Sequence, residues 1–293
     1  MPNKSWQELN RELTRILGLQ HAPIAITFSN GAPTGVSRFD GEMPAPSADG
    51  RTGKVPAGCV FWMKSETETF TTVPEDHFNC SVGSVTHGLK KLEEVMENED
   101  VQGILACEWV TPEEAMSLPA VQEQPNYITY GPLSETPVDP DVVLLRLNPF
   151  QAMVIHDAFG EMPIVGKPQC HIIPMAKEHA QIAISTGCML SRVRTGMSPN
   201  EMTCAIPAHR LTEVIEKLEQ RKVAKKYRDL SLSDIKILLQ SEIHEYRLTA
   251  LLILVDRYQR TDAPEEIVDF YLQHLGHVNN WDLVDSSAPK ILG

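Results

Sequence analysis

Apolar residues recur at helical spacing near the start of the chain. In SWQELNRELTRILGL, residues 5–19, Trp6, Leu9, Leu13 and Ile16 fall three, four and three apart and line one face of a helix. Ser5 with Glu8 forms a capping box, and Gly18 supplies a C-cap. PIAITF (23–28) reads as a short strand, NYITYGPL (126–133) as another, and DVVLLRL (141–147) as a buried one. Residues 29–57 are rich in Gly, Pro, Ser and Asp and predict a long irregular loop. A Gly-containing turn at residues 80–88 leads into a charged helix, KKLEEVMENE (90–99). Thr111, Pro112 and Glu114 open a further helix as cap, first helical position and box partner. NPFQAMVIHDAFG (148–160) is helical in pattern, and residues 180–209 alternate short strands with glycine turns. A polar helix follows at 211–220.

From about Val223 the strand signals vanish. SLSDIKILLQS, EIHEYRLTALLILVDRYQR and PEEIVDFYLQHLG are three helices with short connections, a pattern that resembles a solenoid unit. VNNWDLVD then starts another helix. The predicted class is α+β: a mixed α/β domain over residues 1–220, followed by an all-α segment over residues 221–293.

Composition narrows the function. The 293 residues are 42% hydrophobic, which suffices for a sizeable core. No apolar run approaches the ~18–20 residues that span a bilayer. The first residues lack the apolar core of a signal peptide, so the expectation is a cytoplasmic protein with no membrane partner. The net charge of −13 divides unevenly: −12 over residues 1–220 (16 basic, 28 acidic) and −1 over residues 221–293 (10 basic, 11 acidic). An acidic body repels phosphate backbones, which argues against non-specific nucleic-acid binding by the first part. The near-neutral second part is not excluded from it.

Six cysteines carry the candidate chemistry: Cys59, Cys80, Cys107, Cys170, Cys188 and Cys204. No CxxC pair exists, so any shared site must be assembled by the fold. Cys59, Cys80, Cys170 and Cys188 each lie beside Gly, Pro or aromatic turn residues, and loop thiols of this kind ligate soft metals, zinc or iron–sulfur clusters. The competing reading is that they are small buried hydrophobes. Cys107 and Cys204 sit in strand-like surroundings and are poorer candidates. His87 reads as a ligand, a proton shuttle or a capping residue, and those readings stay open. His77, His156 and His171 are equally ambiguous. Cys80, just ahead of a helix, is also a candidate nucleophile activated by the helix N-terminus. Arg192 and Arg194 share one face of an extended segment, as a carboxylate or phosphate clamp or as a solvated pair.

The ordered set PIAITF, GCVFW, HFNCSVGSVTHGL, ITYGPL, DVVLL, QAM, the Cys170 segment and STGCMLSRVRTG…NEMTCAIP resembles the DUF169 family over roughly residues 6–220. That resemblance implies a domain but no mechanism. The segment from Val223, above all NNWDLVD, resembles DNA alkylation repair glycosylases built from HEAT-like helical repeats. It implies that Trp281 and Asp285 belong to an active site for excising alkylated purines without metal and without base flipping. An aromatic face attracts a cationic purine nucleotide, and a carboxylate stabilises charge developing on the sugar. Proteins of that family continue for several more helical pairs, whereas this sequence stops at Gly293, so the resemblance implies an incomplete DNA groove.

Three functions are carried forward. The first is a DUF169-like protein holding a metal, an iron–sulfur cluster or a small molecule through Cys59, Cys80, Cys170 and Cys188, with His87 as a further metal ligand. The second is a DNA glycosylase acting through Trp281 and Asp285, with DNA as partner only if the helical tail works. The third is a structural or partner-binding module, including a homo-oligomer.

Overall fold

The computed structural model describes residues 4–41 and 57–293, apart from the side chains of Arg194 and Thr195. Most of the expected loop at 29–57, and the side chain of Arg194, therefore lie outside the described residues. The chain divides into two compact units, Met1–Ile215 and Glu216–Gly293.

The first unit opens with α1 (Trp6–Leu17) and β1 (Ile24–Ser29), then α2 (Gly58–Lys64) and β2 (Phe70–Thr72). Four short helices follow: α3 (Ser81–Thr86), α4 (Leu92–Val95), α5 (Glu99–Ala106) and α6 (Pro112–Met116). Then come β3 (Tyr127–Pro132), β4 (Val142–Leu147), α7 (Pro149–Phe159), β5 (Ile164–Val165), α8 (Ile172–His179), β6 (Ala183–Ser185) and β7 (Met202–Pro207).

The local signals explain the element ends. In α1 both halves of the Ser5–Glu8 box form, and Gly18 closes the helix at φ 62°. The Thr111–Glu114 box starts α6 with Pro112 in its first turn. The buried stripe of α1 is Leu9, Leu13 and Leu17, with Trp6 and Ile16 at its edges. Trp6 is drawn aside because its indole N–H donates to Asp139 at 2.7 Å. The charged stretch 90–99 is not one helix: Asn98 takes an extended backbone and starts α5 afresh.

The seven strands form one sheet in the order β2-β3-β1-β4-β7-β6-β5. Among the described strands the β5–β6 ladder alone is parallel, and an isolated parallel bridge joins Arg38 to Thr71. β4 lies at the centre with all six positions buried, so both faces of the sheet are covered there. On one face Ile24, Ile26, Val142, Leu144 and Ala205 pack against Phe61 and Trp62 of α2 and Ile172 and Ile173 of α8. This brings the start of α2 and the start of α8 to the same side of the sheet.

The end of β4 carries a buried charge network. Arg146 donates to both carboxylate oxygens of Glu201, at 2.6 and 2.8 Å, and to Glu66 just beyond α2. Glu66 also meets His21 at 3.0 Å. Arg192 donates to the backbone carbonyl of Glu201, so the network joins residues from five stretches of the chain.

α9 (Leu211–Lys226) runs through the unit boundary. The second unit continues with α10 (Leu232–Leu239), α11 (His244–Tyr258), α12 (Pro264–Gln273) and α13 (Trp281–Ile291). Its core is built from Leu239, Leu251, Leu254, Ile267, Tyr271 and Leu283. Ser287 donates to the Leu283 carbonyl at 2.6 Å and accepts from the Tyr271 hydroxyl at 2.9 Å, which pins α13 to α12. None of the described helices is long and apolar enough to cross a membrane.

Removing Arg146 would leave the Glu201 carboxylate buried without its cation. Arg146→Met is expected to cost about 3–5 kcal/mol in urea unfolding followed by tryptophan fluorescence. A loss under about 1 kcal/mol, the worth of a surface pair, would contradict the network's role.

Candidate thiol-lined cavity

The sheet, α2 and α8 set three of the four turn cysteines around one space. Cys59 lies in the first turn of α2, Cys80 caps α3, and Cys170 sits in the 3-10 turn Gln169–His171 that enters α8. Cys188 follows β6 after Gly187, whose φ of 111° suits glycine. All four line a single cavity of about 190 Å³. One water needs on the order of 10–15 Å³, so the space exceeds a single water by an order of magnitude.

Cys170 and Cys188 are buried, and Cys59 and Cys80 are half-buried. The other two cysteines lie elsewhere. Cys204 is buried in β7. Cys107 is exposed at the end of α5, a helix and not the strand-like setting expected from its neighbours.

The proximity has an electrostatic consequence. Burial pushes the Cys59 thiol well above its ordinary range, and Cys170, Cys80 and Cys188 push it further. Cys170 moves the same way, first by burial and then by Cys80. Both are neutral thiols at pH 7 unless a positive group joins them. The Sγ of Cys80 accepts from the Gly83 N–H at 3.4 Å, so it caps α3.

Gln169 fixes Cys59 from behind. The carboxamide oxygen accepts from Ser191 at 3.2 Å and Arg192 at 3.1 Å. Its nitrogen is therefore turned to sulfur, 2.9 Å from Cys59 Sγ and 2.9 Å from Met197 Sδ. Sequence reasoning missed Gln169; its place beside Cys170 in KPQCH is the one hint. Arg192, read from the sequence as an anion clamp or as half of a solvated pair, is instead committed to Gln169 and to backbone carbonyls.

His87 also lines the cavity and is fully buried. Its Nδ1 lies 2.8 Å from the Gly83 carbonyl, which only accepts, so Nδ1 carries the proton. Its Nε2 has no hydrogen-bond partner among the described residues. Burial lowers the His87 pKa to about 4, and burial lowers His171, a second lining imidazole, to about 4. His77 packs 5.7 Å from His87, ring to ring, and 2.8 Å from the Thr72 hydroxyl; burial and then His87 hold it well below its ordinary value. His156 lies in α7, away from the cavity lining.

Among the described residues no three His, Cys, Asp or Glu side chains are gathered tightly enough to hold a single metal ion. The four thiols thus share a wall and not a point. Most of the remaining wall is apolar, with Val85, Val95, Val101, Ile104, Leu105 and Trp109 from the α3–α6 region, and Asn79 and Ser117 add polar groups. Its two charged residues, Lys167 and Glu114, pair with each other at 4.0 Å.

The other candidate pair belongs to the second unit. Asn280 accepts from the Trp281 N–H at 2.8 Å and starts α13 there. Trp281 is 80% exposed, and Asp285, one turn on, is exposed on the same side. Between them Asp282 pairs with His244 of α11 at 2.6 Å.

Comparison with known proteins divides the chain in the same way. A family model described as uncharacterised ArCR, DUF169, matches residues 12–217. A model described as DNA alkylation repair enzyme matches residues 215–293. Neither the curated proteins nor the solved structures gave a match.

The buried imidazoles give a pH dependence with a definite sign. A histidine with a lowered folded pKa binds its proton more readily when unfolded, so its stabilising effect is full above the unfolded value near 6.5 and is lost as pH falls towards about 4. Urea midpoints are expected to drop steadily between pH 7 and pH 4.5, and less so in His87→Asn. An unchanged midpoint across that range would contradict the burial of neutral imidazoles.

Proposed function

We propose, for a chain that belongs to the DUF169 family over residues 12–217, that Cys59, Cys80, Cys170 and Cys188 together hold an iron–sulfur cluster. The observation that carries this reading is the arrival of four thiols from four distant segments on the wall of one cavity. Buried thiolates repel one another, and a cationic iron core removes that cost. Four sulfur donors, with Glu114 the one carboxylate among the described lining residues, favour soft metals over magnesium or calcium. A mononuclear zinc draws its four sulfurs to about 2.3 Å from one point, whereas a cluster places iron and sulfide between its cysteines and suits a shared wall better. The cluster would supply electron-transfer or Lewis-acid chemistry; the chain itself supplies the four ligands, a dry wall, and the Gln169 N–H aimed at Cys59.

The test is purification without oxygen. Stoichiometric iron and acid-labile sulfide with a broad absorption near the visible are expected, and Cys80→Ala/Cys188→Ala should lose both while keeping the thermal transition of the second unit. Iron unchanged in that variant, or none in the parent chain, would end the reading.

A second reading has its own observation. The alkylation-repair match covers the helical unit, and the exposed Trp281 and Asp285 share a helix face there. On this reading the chain releases N-alkylated purines from DNA, with Trp281 attracting the cationic nucleotide and Asp285 stabilising charge on the sugar. Methylated DNA should lose 7-methylguanine or 3-methyladenine in the presence of the chain, and Trp281→Ala and Asp285→Ala should each slow release by at least tenfold. No release above the spontaneous rate would remove it.

A further inference from the structure

We infer that the apolar arm of the thiol-lined cavity binds a small uncharged molecule, aromatic or branched aliphatic, that donates one O–H or N–H to Nε2 of His87. The inference goes beyond the cluster reading and does not depend on it. It needs only the imidazole and the apolar wall.

The acceptor is defined by its surroundings. Because Nδ1 gives its proton to the Gly83 carbonyl, Nε2 presents a bare lone pair, fully buried and without a partner among the described residues. An unsatisfied buried acceptor is costly, so a ligand whose donor reaches it is favoured over one of the same shape without a donor. Gly58 packs against the edge of the ring, with little room there for a side chain. A Cβ at that position would stand 3.1 Å from Cε1 and 3.6 Å from Nε2 of His87. Gly58 and His87 both line the cavity.

The wall sets the rest of the ligand. Val95, Val101, Ile104, Leu105 and Trp109 offer hydrocarbon and one aromatic face. The two charged lining residues neutralise each other, so the cavity offers no net charge to an ionic ligand. A volume of about 190 Å³ leaves room for a molecule of phenol size beside a group held by the thiols.

The experiment titrates phenol and benzene separately into the full chain, followed by ligand-observed NMR, on preparations of measured iron content. Phenol is expected to bind saturably at one site, about tenfold tighter than benzene. In His87→Phe the two should bind equally, because the acceptor is gone and the wall remains. Should that variant fail to fold, the phenol-to-benzene ratio in the parent chain decides alone, and Ile104→Trp should block both probes by filling the arm. Equal affinity for phenol and benzene in the parent chain, or no saturable binding of either, overturns the inference. Iron content separates the two proposals. An iron-free chain that prefers phenol sinks the cluster and keeps this site, and an iron-loaded chain without the preference does the reverse.

Discussion

A thiol ionises with difficulty when it is taken out of water, and several thiols on one wall make it harder for each other. That constraint governs the first unit. Cys59 is held neutral by burial and by three other cysteines at once. Among the described residues of that wall the one cation, Lys167, is paired with Glu114. Left alone, the arrangement is an apolar, sulfur-faced hollow. Given a positive group, each thiolate gains the partner that burial withholds. The neutral imidazoles follow the same logic: with pKa values near 4, His87 and His171 offer lone pairs and not charge.

The fold holds this wall in place through polar contacts behind it. Arg146 at the end of the central strand grips Glu201 and Glu66. The Glu201 carbonyl takes Arg192, Arg192 turns the Gln169 carboxamide, and Gln169 directs its N–H at Cys59. A chain of paired groups thus runs from the sheet to a sulfur. Its members are buried or half-buried, so their geometry is stiffer than that of a surface network. Such a chain positions its last atom and sets how much negative charge the sulfur carries.

Much of this was legible in the sequence because local rules act alone there. The α1 and α6 boxes, the Gly18 cap and strands β1, β3 and β4 follow from periodicity and capping. The four cysteines were separable from Cys107 and Cys204 because turn residues flank them. What stayed hidden depends on residues far apart in the chain. The helix α2 shows no stripe, since Val60, Phe61 and Trp62 are all buried. The stretch 90–99 looked continuous because its charges suit a helix, and only the extended Asn98 breaks it. No spacing rule reveals that Gln169 faces Cys59 across 110 positions, or that His87 spends its proton on Gly83 and keeps the other nitrogen bare.

The helical unit is organised by ordinary packing around α11, with the Trp281 and Asp285 face directed to solvent. The central claim rests on the cysteines. X-ray absorption at the iron edge, on chain purified without oxygen, tests it most directly. The account predicts a first shell of sulfur alone with an iron–iron distance in the second shell. An oxygen or nitrogen first shell, or no iron to measure, would contradict it and leave the four thiols as walls of a ligand cavity.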